Sequence, residues 1–362
     1  MTTSFSPGLA ARFRTLRPIF WIALFLATIE IGLEYRAHLR GWDTPLFGAV
    51  RSEHGQSNDL EGSGPEFGPT AEFPFRGPVI KGPKPAGAFR IWVASASHGE
   101  DIYLPPDIIF PTLIGKNLQL QGVPAQVLNA SRAGTGIEGD LAFLKREFDR
   151  WRPDVVVLYQ LSLDIGLLSR RFPGAIKSKG AGPKTDAEAR TPSAPDSKPS
   201  WPARLFKEST AYSLLNANIT TRLSAAQLLS DDIGVGATDA FRLILVDFVD
   251  NVRALGAEPV LCTFSISVSP GVPAPIPPDV VLFVHRWNEQ LSARGWLAAV
   301  EQLNGVIRDV AGEKRVLLVD TAPVLTGRED LFRDPVHFTP EGHGVLAGMI
   351  ASALSHKAAA KQ

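Results

Sequence analysis

The chain is poor in cysteine and carries no surplus of charge of either sign. One cysteine in 362 residues, Cys262, excludes an internal disulfide and any cysteine-built zinc site. It sits in the apolar run Val260-Leu261-Cys262-Thr263-Phe264, where a free thiol behaves as a small buried hydrophobe. The 37 Lys and Arg residues are balanced by 37 Asp and Glu residues. A nucleic-acid binder should show a basic excess or stripe, so no nucleic-acid partner is expected. No internal repeat is present either. What the chain does have is apolar mass. Hydrophobic residues make up 44% and charged residues 20%, which excludes wholesale disorder and allows a sizeable core. The 32 Gly and 29 Pro point to long loops, and the length suggests about two domains.

Pro18 to Leu33 is the longest apolar run, sixteen residues with Glu30 as its single charge. A spanning helix needs about 20 apolar residues, with a range down to about 17. The run is marginal in length, and Glu30 can snorkel to the interface. Arg12, Arg14 and Arg17 precede it, which fits a cytoplasmic N-terminus, although Arg36 and Arg40 follow. Glu34-Tyr35-Arg36 stands where a small-residue cleavage site would be. The segment therefore reads as an uncleaved signal anchor over 18–36. Residues 1–17 are then cytoplasmic, and the body of the protein lies on the extracytoplasmic side of the membrane. A helix packed on the soluble domain is the alternative.

Residues 37–86 are rich in Gly, Pro, Ser and Glu and read as a tether and extended lead-in. A second stretch, about 172–202, is rich in Pro, Lys, Ala and Ser and reads as a disordered insertion in a domain spanning 87–356, with a short tail at 357–362. Within that domain β-rich runs alternate with helical patterns. Strands are expected at Phe89 to Ser95, Ala125 to Leu128, Val155 to Tyr159, Pro259 to Phe264 and Val316 to Val319. Between them, Leu141, Leu144, Phe148 and Trp151 share one helical face. Phe241, Ile244, Leu245, Phe248, Val249, Val252 and Leu255 make another stripe, which Gly256 ends in the C′ role. One long helix is expected from about Val284 to Val310, with Trp287 and Trp296 in the core or at an interface, and a last helix from Pro340 to Leu354. Fully apolar strands alternating with helices predict an α/β fold with a parallel sheet covered on both faces. Its active site should lie beyond the carboxyl ends of the strands.

At those ends, Ser97 follows the first strand in Ala94-Ser95-Ala96-Ser97-His98-Gly99. Asp334 and His337 lie three apart before the last helix, spaced for the carboxylate to face Nδ1 and leave Nε2 for Ser97. A serine becomes a nucleophile only when a base takes its proton and an acceptor orients that base. Alone, an Asp-x-x-His spacing is a weak signal, because surface pairs at that spacing are common. His98, Glu100 and Asp101 invite a metal reading, but consecutive turn residues rarely converge on one ion and no second cluster is evident, so no metal is expected. His343 should cap or face the last helix.

Leu331-Phe332-Arg333-Asp334-Pro335-Val336-His337-Phe338-Thr339-Pro340-Glu341-Gly342-His343, followed by an Ala-rich helix, closely resembles the C-terminal block of the SGNH (GDSL-type) esterases. Arg90 to Ser97 looks like that family's nucleophile strand, with Ser95-Ala96-Ser97 for its usual Gly-Asp-Ser. Asn129 to Gly134 is similar to the second block, and Pro153 to Tyr159 to the lead-in of the third. The resemblance implies a three-layer α/β/α fold on a mostly parallel, flavodoxin-like five-stranded sheet. It also implies an ester hydrolase with Ser97 as nucleophile, His337 as base and Asp334 as its orienter, with the Ser97 and Gly134 N–H groups in the oxyanion hole and no cofactor. The third block departs: Leu163 stands where the family has an oxyanion-donating asparagine, leaving Gln160 or Ser162 as stand-ins and Asp164 as a structural support. By analogy with the family, the substrate would be an acyl ester, with O-acyl groups on an envelope or exported glycan as candidates. The rivals are an acyltransferase using the same triad on a polysaccharide, and an inactive binding or assembly protein.

Overall fold

The computed structural model describes residues 67–70, 72–172, 229–273, 275–288 and 290–359, with helical positions between Trp21 and Tyr35. The insertion expected at about 172–202 lies outside the described residues, except for Phe172, and so do residues 1–17 and 37–66. The chain divides into two units, 1–57 with 183–220, and 58–182 with 221–362. In the first, the described part is the helical segment, where the Thr28 hydroxyl donates to the Leu24 carbonyl at 2.8 Å. Among the described residues no helix is long and apolar enough to cross a membrane, and the anchor expected at 18–36 falls only partly within them.

The second unit is built on five parallel strands, β3 (Phe89–Ala94), β4 (Ala125–Asn129), β5 (Val155–Leu158), β6 (Glu258–Cys262) and β7 (Leu317–Val319). Their order is β4-β3-β5-β6-β7, which is 2-1-3-4-5 counted within the sheet and is the flavodoxin-like winding. A two-residue antiparallel pair, β1 (Phe67–Gly68) and β2 (Gly77–Pro78), precedes it. Central strands β3 and β5 are buried along their whole length, as expected when helices cover both faces.

Arg90 is the exception among the apolar residues of β3. It is buried because Gln126 Oε1 accepts from its Nε and Nη2 at 3.0 and 2.7 Å, and the Trp151 carbonyl accepts from Nη1 at 2.6 Å. The lead-in adds Phe73 and Phe75 to a cluster of edge-on and tilted rings with Trp92, Phe143 and Trp151. Such contacts add about 0.5–1.5 kcal/mol per pair beyond area burial.

The helices are α1 (Ala96–Glu100), α2 (Phe110–Leu120), α3 (Ile137–Trp151), α4 (Ser162–Arg171), α5 (Val235–Ala254), α6 (Pro278–Trp287), α7 (Ala293–Lys314), α8 (Ala322–Leu325) and α9 (Pro340–Ala359). In α3 the expected face, Leu141, Leu144, Phe148 and Trp151, is buried. At the end of α5 the Gly256 N–H donates to Arg253 and the Ala257 N–H to Val252, the paired bonds of a Schellman stop. Cys262 is buried, and burial pushes its thiol upward.

One expectation is corrected. The single helix over about 284–310 is two, α6 and α7. Asn288 Oδ1 accepts from the Gln290 and Leu291 N–H groups, and the Ser292 hydroxyl caps α7 by accepting from the Gly295 N–H at 2.9 Å. Local side-chain acceptors at Asn and Ser thus end one helix and start the next. Of the two tryptophans expected in the core or at an interface, Trp296 is core at 2% exposed, and Trp287, at the end of α6, lies on the surface at 62% exposed.

Candidate active site

The first strand ends at Ala94, and the chain turns at once into the five-residue helix α1. Ala96 adopts φ 41°, a region that costs an L-residue roughly 1–2 kcal/mol. This sharp turn carries Ser97 at the carboxyl edge of the sheet. The Ser97 N–H lies in the first turn, where no carbonyl of the same helix can accept it. Ser95 anchors the turn by donating from its hydroxyl to the Tyr159 carbonyl at 2.6 Å.

From 240 residues away in sequence, His337 Nε2 comes to 3.0 Å from Ser97 Oγ. Its Nδ1 stands 2.7 Å from Asp334 Oδ2. The other carboxylate oxygen, Oδ1, accepts from the Val336 and His337 N–H groups, both at 2.9 Å. Burial alone would raise the Asp334 carboxyl, but the His337 ring and these donors outweigh it and hold it at about 2. Burial likewise acts to lower His337, and the Asp334 carboxylate overcomes it, so the imidazole ends above its ordinary value. Because a carboxylate only accepts, Nδ1 carries the proton and Nε2 presents a lone pair to Ser97.

His98, next to the serine, stacks on His337 with ring centroids 5.1 Å apart and planes 22° apart. Burial, helped by the neighbouring His337, pushes His98 down to about 3. It is a neutral ring supporting the base. Glu100 turns away from any shared ion and accepts from the Ala133 N–H, and Asp101 pairs elsewhere. Among the described residues no group of three His, Cys, Asp or Glu could hold a metal ion.

The loop after β4 carries Gly134, exposed and with φ 75°. Asn129 Nδ2 donates to the Gly99 carbonyl at 2.8 Å, and a Cβ on Gly99 would lie 2.2 Å from the Ser131 hydroxyl. Only glycine lets this loop approach α1 so closely. Gln160 is corrected as an oxyanion donor. Its Nε2 donates to the Thr135 carbonyl and to Asp164 Oδ2, both at 2.9 Å, so both amide hydrogens are spent. Ser162 begins α4 and is half-buried, and Leu163 follows it. Asp164 is buried, accepts from the Ile137 N–H at 3.1 Å, and is pushed by burial up to about 6, so it supports the start of α3.

The residues that sequence reasoning missed lie behind the serine and histidine. Asp101 accepts from Arg333 Nη2 on both oxygens, at 2.8 and 2.9 Å, and stands 2.9 Å from His343 Nε2. His343, expected to cap or face the last helix, lies within its first turn; it is wholly buried, and its Nδ1 accepts from the Phe110 N–H at 3.0 Å. Arg333 adjoins Asp334, but its spacing to Asp101 carried no signal of the pairing.

The fold and the site together define a doubly wound α/β protein with a serine, histidine and aspartate in hydrogen-bonded series at the sheet's carboxyl edge. No protein-family model matches the sequence, and no curated protein is significantly similar to it. Solved structures similar to it include the acetyl xylan esterase AlAXEase, at 15% identity and TM-score 0.41, covering 74% of this chain and 100% of that one. A lipase/acylhydrolase from Enterococcus faecalis is similar at 14% identity and TM-score 0.43, covering 74% of this chain and 96% of the other. A GDSL-like lipase from Bacteroides thetaiotaomicron is similar at 12% identity and TM-score 0.40, covering 74% and 88%.

Proposed function

We propose that the protein is a serine ester hydrolase of the SGNH type. The observation that carries this reading is the unbroken series from Ser97 Oγ through His337 to Asp334, at 3.0 and 2.7 Å. Ser97 Oγ attacks the acyl carbonyl carbon while His337 Nε2 takes the hydroxyl proton. The negative charge moves onto the carbonyl oxygen, toward the Ser97 and Gly134 N–H groups. Collapse breaks the ester C–O bond, and the imidazolium returns its proton to the departing alcohol. Water then attacks the acyl-serine with His337 again as base, releasing the carboxylic acid and the free serine. Asp334 holds the tautomer and stabilises the imidazolium throughout.

An O-acylated glycan outside the cytoplasm is the proposed substrate class, and the sequence of Pro18 to Leu33 is the basis for proposing a membrane anchor. The test of the chemistry is turnover of p-nitrophenyl acetate by the full-length protein. Ser97→Ala should lower kcat by at least about 10³-fold. Wild-type turnover in that variant would overturn the reading. Resistance of the full-length protein to carbonate extraction tests the anchor, and complete release would exclude it.

A further inference from the structure

Ser97 and His337 are joined by more than the bond between their side chains. The Asp101 N–H donates to the Ser97 carbonyl at 3.0 Å. The Asp101 carboxylate accepts from Arg333 Nη2 on both oxygens. The Arg333 N–H donates to the His337 carbonyl at 2.8 Å. His337 Nε2 then meets Ser97 Oγ, and the circuit closes.

Three further contacts brace it. The wholly buried His343, on α9, stands with its Nε2 at Asp101 Oδ2. The Phe110 N–H donates to His343 Nδ1, so the proton sits on Nε2 and His343 is a neutral donor. Arg76 donates to the Asp101 carbonyl at 2.9 Å and to the Leu104 carbonyl at 2.6 Å, holding the turn after α1. The Arg333 side chain is 14% exposed and the Asp101 side chain not at all, so water does little to screen this pair.

We propose that Asp101 is a positioning residue for the Ser97–His337 pair: paired with Arg333 and braced by His343, its buried carboxylate fixes the loop bearing the base against the turn bearing the nucleophile. The inference rests on the serine-hydrolase reading of the site. A base displaced by about 1 Å from its nucleophile can lose about 10²-fold in rate, and the Asp101–Arg333 pair adds a charged link between the two loops to the stack of His98 on His337. Asp101 also has φ 29°, a conformation that Asp and Asn tolerate better than most residues. Asp101→Asn therefore removes the charge while keeping shape and backbone preference.

The test uses the full-length protein and two readouts. One is ester turnover against pH. The other is the titration of the His337 ring by NMR, which does not depend on turnover. The charged and titratable groups facing His337 are Asp334 and Arg333 from its own loop, His98 and Asp101 from α1 and its following turn, and His343 from α9. Removing the Asp101 carboxylate withdraws negative charge that favours the imidazolium. In Asp101→Asn, kcat should fall by about 10²-fold with KM within about twofold. The acid limb and the His337 titration should both move to lower pH.

The double variant Asp101→Asn/Arg333→Gln removes both charges of the pair, and the buried Arg76 keeps Glu100 as an acidic neighbour. This variant should fold, return the titration most of the way to wild type, and keep kcat at least about tenfold low because the carboxylate–guanidinium fork is gone. A folded variant of either kind with wild-type kcat and an unmoved His337 titration would overturn the proposal. Failure of both variants to fold would also overturn it, since the pair would then be holding the domain and not the loop. If the wild type neither turns over ester nor reacts at Ser97 with a fluorophosphonate, the hydrolase reading fails, and the His337 titration still judges the strut.

Discussion

The acid–base half of the site and the oxyanion half are finished to different degrees. Around His337 the carboxylates are fully engaged: both Asp334 oxygens, both His337 nitrogens, both Asp101 oxygens and both His343 nitrogens have partners. The nitrogens left over there, among the described residues, are His98 Nε2, Arg333 Nε and Arg76 Nε. Around the 129–136 loop, by contrast, acceptor oxygens are left over. The Asp140 carboxyl oxygens and Gln160 Oε1 are buried without a hydrogen-bond partner among the described residues, and Leu163 has no side-chain donor to offer. Carboxylates engaged on both oxygens define one geometry and are expensive to disturb, while buried oxygens without a donor leave room for improvement. The first half should therefore respond to substitution mostly by losing function, and the second should tolerate or reward it.

The largest test of that contrast is Leu163→Asn. With Gln160 committed to Thr135 and Asp164, Ser162 is the stand-in side-chain donor that remains for the proposed oxyanion hole. Removing one such donor elsewhere costs about 10²–10³-fold in kcat. Supplying one here should raise kcat for a small acetate ester by more than about tenfold and by no more than about 10³-fold. An unchanged rate would mean the oxyanion half is already complete through backbone N–H groups, and the contrast would collapse.

A smaller effect is expected at Asp140. Burial pushes its carboxyl up to about 8, with Arg132 opposing and Asp164 reinforcing the shift. The sign follows from linkage. The native state keeps the proton while the unfolded chain, ionising near its ordinary value of 3.8, loses it. The contribution of Asp140 to stability is thus greatest below about pH 4 and declines as pH rises toward 8. Asp140→Asn removes that ionisation. Thermal melts should show the variant gaining a few degrees over wild type at pH 7.5, at about 2–4 °C per kcal/mol for a domain of this size. The gain should vanish near pH 4. A gain that is the same at both pH values would place its cause in packing.

Much of this contrast was legible in the sequence, and the reasons differ by element. The sheet was readable because its strands are short apolar runs, and α3 and α5 because their stripes keep a helical period. Ser97, Asp334 and His337 were readable through the resemblance of the first strand's end and of the block from Leu331 to His343 to the SGNH esterases, since an Asp-x-x-His alone is a weak signal. The break between α6 and α7 was not, since the stop comes from Asn288 and the cap from Ser292, inside a continuous apolar pattern. Asp101, Arg333 and His343 were hidden for another reason. Their partners are 232 and 242 residues apart, and a buried ion pair leaves no periodicity in the chain. The commitment of Gln160 was hidden likewise, because its two acceptors lie in different elements.

The smallest expected effect is at the junction of the two halves, Ala96→Gly. Ala96 sits at φ 41° between strand and nucleophile, and a left-handed alanine costs roughly 1–2 kcal/mol. Glycine relieves that cost. It also gives up a buried methyl, worth about 0.8 kcal/mol, and adds roughly 0.5–1 kcal/mol of unfolded-chain entropy. These terms nearly cancel, so the melting temperature should change by no more than about 2 °C. The rate should hold as well if Ser97 is placed by its neighbours, the Ser95–Tyr159 bond on one side and the Asp101–Arg333 pair on the other. A fall in kcat of tenfold or more at unchanged stability would show that the alanine's restricted backbone itself aims the serine. The nucleophile turn would then belong with the acid–base half of the site, and the boundary between the two halves would move from α1 to the loop after β4.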